Sequence, residues 1–140
     1  MTAGSVFEDA PIPKNVGSKY AAPGKEPYSP TNLPNKYAGY ITLRDAVKYS
    51  KNTISVKIDD EIGLQTAVKY GEKFGIHLDN TDKTSISALA LGQLDGGELK
   101  GTNPLAMAQA YGAFGNQGMM SKARMYTKVT DKMDLHCRHT

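Results

Sequence analysis

Two side chains that can do chemistry stand two residues apart in Ser50-Lys51-Asn52, where one amphipathic helical pattern ends and the next begins. A hydroxyl donates and accepts hydrogen bonds at once, and a carboxamide can orient a bound group without a change of charge. A tight turn between two helices can direct both side chains into one cleft. The structural alternative is that Ser50 ends one helix and Asn52 caps the next. The spacing alone leaves both interpretations open.

The residues on either side of this turn have helical patterns. Thr42, with Asp45 three residues later, forms a variant capping box that predicts a helix over roughly residues 43–50. After the turn, Thr53 is predicted to cap a second helix, in which isoleucine recurs every fourth residue and which Gly63 ends. We therefore expect the hydroxyl and the carboxamide to lie together between the two helices, on one side and at least partly accessible.

Further elements are predicted along the rest of the chain. A helix over about residues 64–74 ends in a glycine C-cap at Gly75. Another helix covers residues 103–118 and begins with Asn-Pro, an N-cap followed by proline in the first turn. Between them, residues 86–91 are apolar without a polar face. Residues 124–130 alternate in polarity, which predicts a half-buried strand.

The chain divides near residue 41. Residues 1–40 are predicted to form an extended, proline-rich arm with one short strand around Ser5–Phe7, because proline excludes long helices. Residues 41–132 are predicted to be helical, so the fold class is mainly α with a few short strands. Six of the seven prolines lie in the arm: Pro11, Pro13, Pro23, Pro27, Pro30 and Pro34.

Composition excludes several classes of function. At 140 residues the chain is one domain or part of one, and a formal net charge of +3 without a basic cluster argues against nucleic-acid binding. Its apolar runs are too short to span a membrane, and we expect the chain to be soluble and to lack a signal peptide. A single cysteine, Cys137, precludes an internal disulfide.

An ordered series of short segments surrounds the turn. In chain order these are Tyr28–Asn32, Gly39–Val47, Ser50–Asn52, Ile62-Gly63, Tyr70, Phe74–Ile76, Ala88–Gly92, Thr102–Tyr111 and Gly115–Gly118. Over roughly residues 5–132 the series resembles the transpeptidase domain of bifunctional (class A) penicillin-binding proteins. That resemblance implies a part of the helical subdomain of the serine β-lactamase/penicillin-binding-protein transpeptidase fold.

Three motifs, S-x-x-K, S-x-N and K-T-G, build the active site of that family. The chain contains S-x-N at residues 50–52, but no Ser is followed three residues later by Lys, and no K-T-G or K-S-G occurs. The resemblance places the nucleophile motif upstream of Met1 and the K-T-G strand beyond the C-terminus. We therefore expect an incomplete subdomain that is inactive by itself. Residues 133–140 resemble nothing in the family and are predicted to be a non-family tail.

The resemblance also implies roles for the two polar side chains. Ser50 is the hydroxyl relay that returns a proton to the departing D-alanine, and Asn52 hydrogen-bonds the substrate peptide and holds the catalytic lysine. Lys51 is expected to be a solvated charge. The implied partners of the parent are the D-Ala-D-Ala stem peptide and β-lactams, with no cofactor, at the extracytoplasmic face of the bacterial cytoplasmic membrane.

Other polar clusters are assigned no function. Asp59-Asp60-Glu61 is interpreted as the solvated end of a helix rather than as a metal site or a pair of catalytic carboxylates. His136-Cys137-Arg138-His139 has a spacing that fits no standard zinc site and is interpreted as tail, so no metal site is predicted. Residues 92–97 lack the Lys-Ser/Thr of a phosphate-binding loop.

A rival hypothesis from a different functional class is a non-catalytic helical binding or scaffold module that derives from the same fold. The resemblance also implies a five-stranded sheet against which the helices pack, and most of that sheet lies outside this sequence. Residues 86–91 and 103–118 are therefore expected to face solvent, the arm or a second copy of the chain, which makes self-association possible.

Overall fold

The computed structural model describes residues 1–13, 29–94 and 101–130. Within these ranges helices dominate and strands are few and short, which confirms the predicted fold class. No helix in the described ranges is long and apolar enough to cross a membrane. The elements are β1 (Val6–Asp9), β2 (Gly39–Thr42), α1 (Leu43–Lys48), α2 (Asn52–Ile62), α3 (Leu64–Lys73), a 3-10 turn (Asp82–Thr84), α4 (Ile86–Leu91) and α5 (Pro104–Gly115).

The two strands form an antiparallel pair that holds the first helix. β1 lies close to the predicted strand, whereas β2 spans the predicted boundary at residue 41 between the arm and the helical part, where no strand is predicted. Val6 pairs with Thr42 at one end of the ladder, and Asp9 pairs with Gly39 at the other. The backbone N–H of Leu43 donates to the carbonyl of Ser5 at 2.8 Å, so the chain before β1 accepts one of the free N–H groups of α1.

Local capping sets most helix boundaries. The Asp45 N–H donates to Thr42 Oγ1 at 3.2 Å, and the Thr42 hydroxyl donates to Asp45 Oδ2 at 2.8 Å, which confirms the capping interaction at α1. At the end of α3, Gly75 has φ +76°, and the Ile76 N–H donates to the Gly71 carbonyl at 3.0 Å. This is the predicted glycine cap in its Schellman form.

Two predicted helix ends differ from the structure. The second helix begins at Asn52 with Lys51 as its N-cap, and the predicted cap, Thr53, is fully buried. The last helix begins as predicted, with Asn103 accepting from the Ala106 N–H at 2.9 Å, but it ends three residues before the predicted glycine. Gln117 adopts φ +54°, a left-handed conformation that stops the helix.

The core lies between the arm, α2 and α4. Ile12, Val56 and Ile86 are buried together, so the apolar segment 86–91 packs partly against the arm. The segment forms a helix because Ser85 caps it, accepting from the Ala88 N–H at 3.3 Å.

The strand predicted over residues 124–130 is wrong. Residues 124–129 form no strand, all are exposed, and the Met125 side chain is 99 % exposed. An alternating pattern forms a strand only where a partner strand and an apolar surface are available. The division of the chain into an arm (1–40), a helical part (41–132) and a tail (133–140) stays a prediction.

Helix α5 carries an exposed apolar face. Its Tyr111 and Phe114 side chains are 66 % and 71 % exposed, although the Phe114 ring stacks on Phe74 with centroids 5.5 Å apart. The small residues Ala110 and Ala113 of the same helix are buried. An apolar groove of about 340 Å³ runs between α3, α4 and α5 beside these rings.

We expect the isolated 140-residue chain to self-associate through this face. Covering an apolar patch of about 400 Å² stabilises a complex by roughly 10 kcal/mol before the cost of association is subtracted. Sedimentation analysis should therefore show species heavier than 15.1 kDa at high concentration. The variant Tyr111→Lys with Phe114→Lys should shift them towards monomer, and Arg44→Ser, on an exposed position of α1, should not. A monomeric parent chain that binds no hydrophobic dye would contradict this expectation.

Candidate active site

The turn between α1 and α2 is a helix C-cap with serine in the glycine position. The Lys51 N–H donates to the Ala46 carbonyl at 2.9 Å, and the Ser50 N–H donates to the Val47 carbonyl at 3.2 Å. This is the Schellman pattern, in which the residue at the position of Ser50 adopts a left-handed backbone conformation. Ser50 has φ +51°, which costs a residue with a side chain roughly 1–2 kcal/mol. The turn thus holds a hydroxyl where the backbone favours glycine.

The two predicted site residues lie together at this turn. Ser50 is exposed, and Asn52 is half-buried as the first residue of α2. The Asn52 Nδ2 group donates to the Thr31 carbonyl at 2.8 Å, so the amide is held by the loop before β2 and does not act as an intra-helical cap. Their catalytic roles stay a prediction.

Lys51 is not a solvated charge, and that prediction is wrong. Its Nζ lies 2.8 Å from Asp9 Oδ2 and donates to the Lys36 carbonyl at 3.1 Å, and its side chain is only 14 % exposed. The residue between the two predicted site residues therefore points into the protein, because a buried carboxylate at the end of β1 attracts its ammonium group.

That carboxylate, Asp9, is the centre of a network that sequence analysis missed. It is 1 % exposed, and its Oδ1 accepts from Asn32 Nδ2 at 2.6 Å and from the Thr53 hydroxyl at 2.7 Å. Its Oδ2 accepts from the Ala38 N–H at 2.9 Å in addition to the Lys51 ammonium. One side chain thereby joins β1, the loop before β2 and the start of α2.

The network determines the protonation state of Asp9. Burial by itself raises the pKa of this carboxyl, but the hydrogen bonds from Lys51, Thr53, Asn32 and the Ala38 N–H together lower the pKa to about 2. Since this folded pKa lies below the ordinary value of 3.8, the network stabilises the fold fully above that pH. The stabilisation is lost as the pH falls towards 2.

A surface depression of about 340 Å³ lies beside the turn. Tyr49 and Lys51, which flank Ser50, both line it, but Ser50 and Asn52 do not. The remaining lining residues belong to the loop before β2: Asn32, Leu33, Pro34, Lys36 and Ala38.

The acidic triplet 59–61 is solvated only in part, which corrects its interpretation as a solvated helix end. Glu61 is exposed, but Asp59 is 5 % exposed, and its Oδ2 has no hydrogen-bond partner among the described residues. Burial, together with the charge of Asp60, raises the pKa of Asp59 to about 6. Asp59 lies on the face of α2 that packs on the rest of the fold, where the sequence pattern showed only a charge run.

Other candidate sites carry no chemistry in the described part of the chain. Within residues 1–13, 29–94 and 101–130, no group of three or more His, Cys, Asp or Glu side chains is placed to hold a metal ion. The His-Cys-Arg-His segment at 136–139 lies outside the described residues, as does the second half of the glycine-rich segment 92–97.

Comparison with known proteins identifies the relatives of the chain. The family model "Penicillin binding protein transpeptidase domain" matches residues 3–140, a range that includes the predicted tail. Penicillin-binding protein 1A of Clostridium novyi (strain NT) is 53 % identical over 131 residues, which cover 94 % of this chain and 15 % of that protein. Penicillin-binding protein 1A of Neisseria meningitidis serogroup A is 35 % identical, with the same two coverages.

A solved structure agrees with these relatives. The crystal structure of penicillin-binding protein 1A from Haemophilus influenzae superposes on the whole chain with a TM-score of 0.74 and 26 % sequence identity, and the match covers 19 % of that chain. The chain therefore spans less than a fifth of the length of the relatives it matches.

The buried carboxyl of Asp59, whose Oδ2 has no hydrogen-bond partner among the described residues, predicts a pH dependence of folding stability. Because its folded pKa is raised from 3.8 to about 6, the free energy of unfolding should fall as the pH rises through that window. The fall should be about 2–3 kcal/mol, since one pKa unit corresponds to about 1.4 kcal/mol. Asp59→Asn should remove it, and Glu61→Gln, at an exposed position, should not. Urea unfolding of the three chains at pH 4 and pH 7 measures the difference, and identical pH profiles would refute the assignment.

Proposed function

The chain belongs to the penicillin-binding protein transpeptidase family, and we propose that it forms one wall of the active site of a peptidoglycan D,D-transpeptidase. In that reaction a serine oxygen bonds to the carbonyl carbon of a D-Ala-D-Ala stem peptide, the C–N bond breaks, and the departing D-alanine nitrogen takes up a proton. The acyl group then passes to an amine of a second stem peptide. β-Lactams acylate the same serine. No cofactor takes part.

Ser50 is the relay that delivers the proton to the departing nitrogen. The observation that carries this assignment is the left-handed conformation of Ser50, with φ +51° at a cap position that favours glycine. Backbone strain of this kind is retained where the surrounding structure enforces it, and it clusters at functional sites. The strained residue here bears an exposed hydroxyl, which can accept a proton from one neighbour and donate one to another.

Asn52 orients the substrate peptide and the catalytic lysine. Its Nδ2 group makes one hydrogen bond, to the Thr31 carbonyl, and the amide makes no other among the described residues. A carboxamide has two N–H donors and an oxygen acceptor. One N–H therefore fixes the orientation of the amide, while the second N–H and the oxygen can bind a ligand.

The proposed setting follows from the same family. The complete protein acts at the extracytoplasmic face of the bacterial cytoplasmic membrane, where peptidoglycan stem peptides are cross-linked. The serine nucleophile and its lysine base belong to an S-x-x-K motif, and the 140 residues contain none.

We expect the 140-residue chain by itself to form no covalent adduct with a β-lactam. A serine hydroxyl without an adjacent base is a poor nucleophile. The 140 residues contain no S-x-x-K motif, which in the family supplies both the nucleophilic serine and its lysine base. Intact mass after incubation with benzylpenicillin should equal the mass of the untreated chain. A stoichiometric adduct on Ser50 would contradict both the inactivity and the relay role.

In the complete protein, Ser50→Ala should slow acylation by an amide stem peptide more than acylation by a thioester with the same acyl group. A thiolate leaves without a proton, so the thioester does not need the relay, whereas general acid–base catalysis accelerates a step about 10²–10⁴-fold. Rapid-quench kinetics on both substrates measure the two rates. Ser121→Ala, at an exposed position outside the turn, should change neither. Equal losses on the amide and the thioester would refute the relay.

A further inference from the structure

The side chains on either side of Asn52 bind one carboxylate. Lys51 Nζ lies 2.8 Å from Asp9 Oδ2, and the Thr53 hydroxyl donates to Asp9 Oδ1 at 2.7 Å. Residues 50 and 52, the two positions that alternate with these, lie outside the Asp9 network: Ser50 is exposed, and Asn52 donates to a loop carbonyl. Lys51 and Thr53 thus hold the turn from the inside of the protein. Ser50 and Asn52 lie on its accessible side.

The conformation of Ser50 depends on this anchoring. Its strained φ of +51° is held by two cap hydrogen bonds and by the position of the next residue, whose side chain reaches 2.8 Å from the carboxylate. A serine free to relax would leave the left-handed region, since a side chain there costs roughly 1–2 kcal/mol. Loss of the carboxylate would remove the one partner that Lys51 and Thr53 share, and would leave only the Lys36 carbonyl for Lys51 and the longer contact to Asn32 Oδ1, at 3.4 Å, for the Thr53 hydroxyl.

Stability alone does not account for a buried ion pair at this place. A buried ion pair is frequently no more stabilising than apolar side chains of similar volume, because both charges lose their hydration. A charged pair with four directional hydrogen-bond donors does fix angles and distances that apolar packing leaves free. The value of this carboxylate therefore lies in the geometry it imposes on the turn.

We propose that Asp9 is a positioning residue for transpeptidation: its buried carboxylate holds Lys51 and Thr53 and thereby fixes the turn that carries Ser50 and Asn52. This inference rests on the proposed function, in which those two residues act on the substrate. Asp9 lies on β1, makes no hydrogen bond to Ser50 or Asn52 and acts on them only through Lys51 and Thr53.

The test uses the complete protein and the same pair of substrates, an amide stem peptide and its thioester analogue. Asp9→Asn keeps the size of the side chain and removes its charge. We expect it to slow acylation by the amide at least about 10-fold relative to the thioester, since a misplaced relay acts on proton delivery. Asp82→Asn, another buried aspartate, is the matched control and should leave the ratio of the two rates unchanged. Asp9→Glu should restore part of the ratio.

A second variant covers the case in which Asp9→Asn does not fold. Thr53→Val keeps the shape of the side chain and the Asp9–Lys51 ion pair but removes one hydrogen bond, so it should lower the amide-to-thioester ratio in the same direction by a smaller factor. Equal losses on both substrates, or no loss, in the folded variants would overturn the positioning role. If Ser50→Ala lowers the ratio and neither Asp9→Asn nor Thr53→Val does, this inference alone fails. If Ser50→Ala leaves the ratio unchanged, the proposed function fails with it.

Discussion

The buried carboxylate of Asp9 is the interaction on which the rest of this structure depends. It lies at the end of β1 and accepts hydrogen bonds from the loop before β2, from the residue inside the Ser50–Asn52 turn and from the first turn of α2. A buried carboxylate without partners is costly in free energy, so these segments must come together for the charge to be tolerated. One side chain thereby joins β1, the loop before β2 and the start of α2, beside the apolar contacts of Ile12 with Val56 and Ile86.

A comparison with Asp59 shows how strongly partners decide the behaviour of a carboxyl. Both aspartates are almost fully buried. Asp9 has hydrogen-bond partners at both carboxylate oxygens and a pKa lowered to about 2, whereas the Oδ2 of Asp59 has no partner in the described part of the chain and its pKa is raised to about 6. Burial raises the pKa in both cases, and only the hydrogen-bond donors around Asp9 reverse the effect. At neutral pH one group therefore stabilises the fold while the other opposes it.

Local patterns in the sequence were sufficient for several parts of the fold. The capping interaction of Thr42 with Asp45, the glycine cap at Gly75 and the Asn103 start of α5 all depend on residues within five positions of each other, so the sequence shows them directly. The place of the Ser50–Asn52 turn between two helices was predictable for the same reason. The order of the flanking segments indicated the family, and the comparisons confirmed it.

Contacts distant in sequence decided the rest. The partners of Asp9 in Asn32 and Thr53 lie 23 and 44 residues away, so nothing local distinguishes Asp9 from its neighbour Glu8 or shows that Lys51 points inward. The hydrogen bond from the Thr53 hydroxyl to Asp9 holds Thr53 in the interior, and Lys51 is the N-cap of α2 in its place. The alternating residues 124–130 have a strand pattern but form no strand over 124–129, because a strand needs a partner that its own sequence does not supply. The sequence by itself thus determined the helices and the site turn, whose hydrogen bonds are local, and the tertiary structure alone decided which charges are buried, because burial depends on segments that meet only in the folded chain.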